Sequence, residues 1–230
     1  MFCGLISVNI DFFAVTTQYI MLFCVIYIGN THKRMKYIER KTKRIFDIMV
    51  ALFCIIVFSP LYLICYIAIK MDDGGPALFN QERIGYKGKA FYIHKFRSMK
   101  INAENSVPLL YTDNDPRLTR VGAFLRKHHL DELPQLWNVL VGDMSFIGPR
   151  PERKYFIDQI MEHDSRYTKL YQIRPGVTSY ATLYNGYTDT MEKMLRRLEL
   201  DLYYLEHNSL WFDMKILLMT FCSIVFGKKF

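Results

Sequence analysis

Twenty-two consecutive residues without a charge, Ile48 to Ile69, lie between two basic stretches. About 20 apolar residues cross a bilayer core as a helix, so the block is long enough to span. Its centre, however, is Ser59-Pro60. Proline has no amide hydrogen and its ring crowds the preceding turn, so a helix bends there. Arg40, Lys41, Lys43 and Arg44 precede the block, and Lys70, Arg83, Lys87 and Lys89 follow it. Positive flanks favour the cytoplasmic side. Together these features predict a segment that enters the membrane, turns at Ser59-Pro60 and returns to the same face, in preference to a straight span. The serine hydroxyl is expected to serve a carbonyl freed by the proline, which lipid cannot do.

Two further apolar blocks flank this one. Phe12 to Ile28 is uncharged but short, and it contains Thr16, Thr17 and Gln18. It lacks the basic start and small-residue cleavage site of a signal peptide. Thr31 to Arg44 then carries seven Lys or Arg against one Glu, a run suited to anionic headgroups. The tail, Ser209 to Phe230, presents Trp211, Met214, Ile216, Leu217, Leu218, Phe221, Ile224 and Val225, with Lys215, Lys228 and Lys229 at its edges. It suits a helix lying in the membrane interface, and equally an ordinary core helix. The formal net charge of +8 points to nucleic acid, acidic lipid or phosphate-rich ligands. Cys3, Cys24, Cys54, Cys65 and Cys222 all sit in apolar blocks without a CxxC pair, and read as small buried hydrophobes.

Four parts follow: residues 1–34, an extra apolar segment; 35–71, the basic lead and membrane helix; 72–208, a cytosolic catalytic domain; and 209–230, the terminal interfacial helix. The fold class is α+β, dominated by helix, with a small β-hairpin. Residues of "ALFNQERIGYKGKAFYIHKFRSM" alternate about a turn at Gly85 to Gly88. "DPRLTRVGAFLRKHHL" has polar start signals at Thr112 to Asp115, then a helix with Val121, Phe124 and Leu125 on one face. "DELPQLWNVLV" reads as a short helix with acids in its first turn, a stop at Gly142, and a buried stripe of Leu133, Leu136, Trp137 and Leu140. "GDMSFIGPRPE" reads as a stiff loop, "IRPGVTSYATL" as another turn, and "DTMEKMLRRLELDLYYLEHN" as helix.

Neither GxGxxG nor a Walker A loop is present, which leaves dinucleotide and P-loop sites without support. His128 and His129 are neighbours, and neighbours on a helix point apart, so a shared metal is not expected. Asp131 and Glu132 are adjacent acids at a helix start, where carboxylates usually serve the helix dipole. Arg97, Arg126, Arg150 and Arg174 stand near turns or segment ends, and guanidinium forks match phosphate oxygens. In that setting a carboxylate can attack a phosphoryl group to give an acyl-phosphate. The second acid would hold a Mg²⁺ that neutralises a diphosphate.

"KRIFD" (Lys43 to Asp47), Ser59-Pro60, "QERIGYKGKAFYIHKFRSM", "LDELPQLWNVLVGDMSFIGPRPE" and "RPGVTSYATL" resemble, in order, the motifs of the bacterial sugar transferases, the monotopic polyprenyl-phosphate phosphoglycosyl transferases. The resemblance runs from about Tyr37 to Lys228. It implies transfer of a sugar-1-phosphate from a UDP-sugar to undecaprenyl phosphate, with UMP released, at the cytoplasmic face of the bacterial inner membrane. By position, Asp131 resembles the nucleophile and Glu132 its Mg²⁺-linked partner. Lys95 and Arg97 match the basic segment of the family, while Arg126 and Arg150 fall at its phosphate and nucleotide contacts. Ser59 and Pro60 match its membrane break. A homodimer and downstream glycosyltransferases are the implied partners, with surface glycan (capsule, exopolysaccharide, O-antigen or glycoprotein) as the product.

"PGVTSYATL" departs from the usual "PGITGWAQV", with Ser179, Tyr180 and Thr182 substituted, which bears on sugar or nucleotide preference. Compact members begin near the basic segment, so Met35 is the preferred natural start over a spanning N-terminus, and the larger relatives' four-helix membrane domain is not expected. Two alternatives remain: a membrane-associated glycosyltransferase that releases UDP, and a non-catalytic membrane scaffold.

Overall fold

Pro60 cannot donate to the carbonyl of Ile56, and the Ser59 hydroxyl donates to it instead at 2.8 Å. The helix breaks there without stranding a carbonyl, as the sequence predicts. The computed structural model of the protein describes residues 37–101, 103, 115–186 and 188–225. In it α1 (Tyr37–Val57) and α2 (Ser59–Asp73) form a pair bent by 61°. Among the described residues no single helix is long and apolar enough to cross a membrane, but this bent pair together has that length and composition. Ile45, Met49, Phe53 and Ile56 of α1, and Leu63, Ile64 and Ile67 of α2, are exposed. A contiguous apolar surface of this kind marks an interaction with lipid or protein. The expectations for residues 1–34, for Thr112, Asp113 and Asn114, and for Lys228 and Lys229 lie outside the described residues.

The expected hairpin is present. β1 (Leu78–Ile84) runs antiparallel to β2 (Ala90–Phe96), with Leu78 opposite Phe96 and Ile84 opposite Ala90. Lys87 and Gly88 make the reversal at φ 59° and 69°, and the left-handed backbone there suits the glycine. α3 (Arg120–Lys127) starts later than its sequence suggests, because Thr119 is the cap and accepts from the Gly122 amide. Asp115 instead binds Arg117 across a turn. A short 3₁₀ turn (Leu130–Glu132) precedes α4 (Gln135–Val141), so the two acids stand before that helix and not in its first turn. Gly142 closes α4 at φ 104°, as expected.

The burial of one aromatic, Trp137, is corrected. Phe124 and Trp137 are more than half exposed, at 57% and 54%. Each lies on the outer side of a helix of eight or seven residues, too short for the apolar period to decide which side is covered. Gln135, Leu136, Asn138 and Val139 are the buried residues of α4, so Leu136 of the expected stripe is enclosed. The loop expected over Gly142 to Glu152 contains β3 (Ser145–Ile147), parallel to β4 (Gly176–Thr178). Between them lie α5 (Lys154–His163) and a 3₁₀ segment (Ser165–Gln172), and after β4 come α6 (Tyr180–Asn185), α7 (Met191–His207) and α8 (Leu210–Val225). α8 buries Phe212 and Ile216, as a core helix does, while Trp211, Leu218 and Phe221 are exposed.

Two contacts bring the site together. Leu130 and Leu133, either side of the acids, pack on a cluster that includes Cys65 and Ile69 of α2 and Phe96 of β2. The Tyr62 hydroxyl of α2 also donates to the Leu133 carbonyl. Asn138 then bolts α4 to the hairpin. Its Oδ1 accepts from the His94 amide at 3.0 Å, and its Nδ2 donates to the Tyr92 carbonyl at 2.7 Å. Asn138→Ala should cost about 2–3 kcal/mol, because it leaves a buried amide and carbonyl unpaired. Denaturant unfolding of the two proteins in the same detergent checks this, and a loss under about 0.5 kcal/mol, the usual size for a surface change, would contradict it.

Candidate active site

His129 adopts φ 55°, a left-handed conformation uncommon outside glycine and asparagine. This residue ends the α3 region and reverses the chain into the 3₁₀ turn of Asp131 and Glu132. Sequence pattern alone does not mark it. The acid turn then faces Lys95 from β2 and Arg150 from the proline-bounded loop.

Glu132 is held on two sides. Arg150 Nη2 donates to Oε1 at 2.5 Å and Lys95 Nζ at 3.2 Å, while Arg150 Nη1 reaches Oε2 at 3.5 Å. Burial alone would raise its carboxyl, but Arg150 and Lys95 outweigh burial and hold it well below the usual carboxylate range. Arg150 is raised in turn, chiefly by the charge of Glu132. Asp131 is 5% exposed and makes no hydrogen bond to any described residue. Burial, then the neighbouring Glu132 charge, push its carboxyl up, against the pull of Lys95, Arg126 and His129. Two adjacent acids thus have opposite environments, one clamped as an anion and one enclosed without a partner. Such a division of environment assigns different roles to paired carboxylates.

The Arg150 loop is carried by a close backbone contact. A Cβ on Gly148 would strike the Arg174 carbonyl oxygen, and one on Gly176 the Gly148 amide nitrogen. Glycine at both positions lets β3 and β4 meet, and the Gly176 amide donates to Pro149 at 2.9 Å. Behind Arg150 lies a second ionic layer. Glu152 binds Arg197, and binds Arg83 at 3.1 Å, while Arg83 also donates to the Pro151 carbonyl at 3.0 Å. Burial would raise Glu152, but Arg197 and Arg83 bring it below its ordinary value. Asp201 of α7 completes the layer. Its Oδ1 has no hydrogen-bond partner among the described residues, and burial pushes its carboxyl up to about 8.

The structure thus gathers Asp131, Glu132, Lys95 and Arg150, with Arg126 close enough to depress Asp131. It does not bring Arg97 or Arg174 into contact with the pair. Arg97 is engaged by Asp73 and by the Pro76 carbonyl. Arg174 donates to the Gly142 carbonyl at 2.8 Å and lies 5.3 Å from the Tyr86 ring. Arg83, Glu152, Arg197 and Asp201 were not singled out from sequence. Asp201 left one signal, since it interrupts the buried stripe Met194, Leu198, Leu202 and Leu205. Among the described residues no three His, Cys, Asp or Glu side chains come together as a metal cage.

An enclosed acid pair matched to cations, in a chain that also carries an exposed apolar helix pair, defines a site equipped to handle anionic, phosphate-bearing ligands. Residues 38–227 match the profile of the bacterial sugar transferases, and the chain belongs to that family. It is 42% identical over 185 residues to a UDP-glucose:undecaprenyl-phosphate glucose-1-phosphate transferase of Escherichia coli strain K12, covering 80% of this chain and 40% of that protein. It is also 42% identical over 185 residues to a UDP-N-acetylgalactosamine-undecaprenyl-phosphate N-acetylgalactosaminephosphotransferase of Aeromonas hydrophila, covering 80% and 44%. A UDP-glucose:undecaprenyl-phosphate glucose-1-phosphate transferase of Caulobacter vibrioides is 41% identical over 185 residues, covering 80% and 69%. The chain therefore spans about two-fifths of the length of the first two relatives.

Asp201 yields a pH prediction. Its folded value near 8 lies above the ordinary 3.8, so the stability it contributes is full below about pH 4 and is lost as pH rises through about 8. Asp201→Asn cannot titrate. The stability of wild type relative to this variant should fall steadily from about pH 4 to about pH 8 in parallel unfolding curves. A difference independent of pH would show that Asp201 titrates as an exposed acid.

Proposed function

We propose that this chain transfers a sugar-1-phosphate from a UDP-sugar to undecaprenyl phosphate at the cytoplasmic face of a bacterial inner membrane, releasing UMP. The observation that carries this reading is Asp131, enclosed beside a clamped Glu132 and hydrogen-bonded to no described residue. The named activities of the relatives supply the substrate class.

The reaction runs in two displacements. An Asp131 carboxylate oxygen attacks the phosphorus that bears the sugar, the bond from that phosphorus to the bridging oxygen of UMP breaks, and UMP leaves as an anion. A phosphate oxygen of the lipid then attacks the same phosphorus. The acyl–phosphate bond breaks, Asp131 is regenerated, and a lipid-diphosphate sugar departs. All three attacking or leaving oxygens act as anions, so neither step needs a proton. Lys95, Arg126 and Arg150 stand where they can stabilise the charge on the phosphoryl oxygens. Arg150 and Lys95 also keep Glu132 charged, so that its repulsion leaves Asp131 the more basic and more nucleophilic oxygen.

Mg²⁺ fits this site as a proposed cofactor. It is commonly held by one or two carboxylates with water and substrate phosphates making up the rest, so a cage of three acids is not required. Glu132 would hold it, and when bound it supplies neutralisation of the diphosphate.

The membrane arrangement is a proposal of the same kind. The 61° break, the Ser59 hydroxyl on Ile56 and basic residues on both flanks support a re-entrant, monotopic pair. The ties from α2 to Leu130 and Leu133 would set the acids at headgroup depth. A homodimer, and delivery of the lipid-linked sugar to downstream glycosyltransferases for surface glycan assembly, complete the setting.

With undecaprenyl phosphate and a panel of UDP-sugars, the nucleotide released should be UMP. Release of UDP instead would favour a glycosyltransferase. Asp131→Asn should lose at least about 10³-fold in turnover, the scale of a lost covalent step. Label from the sugar-bearing phosphate should stay on wild type and not on Asp131→Asn; label on both would remove Asp131 from its role. Because Asp131 is raised, formation of the labelled species should decline on acidification at a pH above the usual aspartate range. For topology, single cysteines at Lys41 and Asp72 should both be shielded from impermeant reagents outside intact cells. Reaction of just one would mean a span.

A further inference from the structure

Apart from the acid pair, the structure has a second cationic centre that the proposed transfer does not use. A cavity of about 80 Å³ opens beside the start of α1. At about 10–15 Å³ for each water-sized occupant, it has room for roughly five to eight heavy atoms, enough for a phosphate group. Its wall includes four cations, Arg40, Lys43, Arg44 and Arg174, against one acid, Asp47. Lys43 is already matched by Asp213 at 2.6 Å. The other three are not: Arg40, Arg44 and Arg174 form no ion pair with any described residue.

Arg44 and Arg174 are held side by side by the same helix end. Arg44 donates to the Val139 and Leu140 carbonyls at 2.6 and 2.9 Å, and Arg174 to that of Gly142 at 2.8 Å. A helix C-terminus offers about half a negative charge, against two full positive charges here. Asp47 and Asp143 attract Arg44 at longer range, yet burial and then Arg174 still lower its pKa. The protein therefore fixes two guanidiniums against their mutual repulsion, neither of them in an ion pair with a described residue.

The position of the cavity suggests the source of that anion. Arg40 and Arg44 lie on the turns of α1 that immediately precede its exposed apolar face at Ile45, Met49 and Phe53. If α1 enters the membrane as proposed above, the cavity sits at the level of lipid phosphates. We propose that this cavity is a second anion site that takes a phosphate group, supplied by an acidic lipid headgroup at the membrane surface or by phosphate in solution. It would dock the base of α1 on the membrane and hold it against α4 while the acid pair turns over.

The inference rests on the membrane reading, so the two are tested separately. Full-length protein is first floated with neutral phosphatidylcholine vesicles. Failure to float there would defeat the membrane reading itself. Binding is then compared on vesicles containing phosphatidylglycerol. Wild type should bind these more tightly, and Arg40→Gln should lose about fivefold of that gain, the scale of one basic residue at a surface. Lys41→Gln removes an equal charge from the same helix without touching the cavity, and should lose less. Arg40 is exposed and makes no hydrogen bond to a described residue, so its variant should fold even if Arg174→Gln does not. In neutral nanodiscs, a rise in Tm on adding inorganic phosphate, lost in Arg174→Gln or Arg40→Gln, would identify phosphate from solution as the occupant. A rise with phosphatidylglycerol alone would identify the headgroup. The proposal is overturned if neither ligand raises Tm, if the rise is undiminished in both variants, or if Lys41→Gln and Arg40→Gln weaken vesicle binding equally.

Discussion

A carboxylate as enclosed as Glu132 survives in ionised form only with cations against it, and Arg150 and Lys95 are those cations. Losing a partner from a pair of this kind is far more costly than forming the pair is favourable, which makes the clamp a constraint on everything around it. The hairpin must deliver Lys95 and the proline-bounded loop must deliver Arg150 to the same oxygen. The clamp also sets the character of Asp131, whose neighbour is a fixed negative charge and which is itself 5% exposed. In this arrangement Glu132, the acid with partners, organises the site, and Asp131, hydrogen-bonded to no described residue, is the acid proposed for the chemistry.

Each route to that point is secured by a different kind of contact. Asn138 uses a side-chain amide as a substitute peptide, joining α4 to the exposed backbone of β2. Gly148 and Gly176 allow two backbones to approach where a side chain would part them. Tyr62, Leu130 and Leu133 connect the acid turn to α2, so any shift of the bent pair moves the acids with it. Arg83, Glu152, Arg197 and Asp201 form an ionic layer near Arg150, and Glu152 acts on it by charge. Position of the apolar pair and geometry of the acid pair are thereby one mechanical problem, which suits a proposed reaction between a soluble donor and a lipid acceptor.

Arg44 and Arg174 illustrate a second use of helix ends in the same molecule. Both cap the C-terminal carbonyls of α4, the helix that follows the acid turn. The start of α1 and the Arg-Pro-Gly turn therefore meet at the opposite end of α4 from Asp131 and Glu132. A group bound between those arginines would bear on the acids through seven residues of helix and no flexible loop.

Much of the outline was legible in the linear order of residues. An uncharged run broken by Ser59-Pro60 had to bend and had to find a donor for Ile56, because both follow from the covalent structure of proline. Alternation about Gly85 to Gly88 specified the hairpin, and Gly142 the end of α4, since local backbone preference suffices for each. The exposure of Trp137 was not legible, because on a seven-residue helix several faces satisfy the same pattern and the neighbours that choose among them are distant in sequence. The same limit applies to the arginines. Four of them near turns looked equivalent, yet Arg150 joined Glu132, Arg97 went to Asp73 and Arg174 to the end of α4. Sequence by itself determined where the chain bends, turns and carries charge, since those are properties of single residues and their immediate neighbours. Tertiary structure alone decided which charge meets which, because pairing depends on distances between segments tens of residues apart, and so it also decided that Glu132 is clamped while Asp131 stays unpartnered.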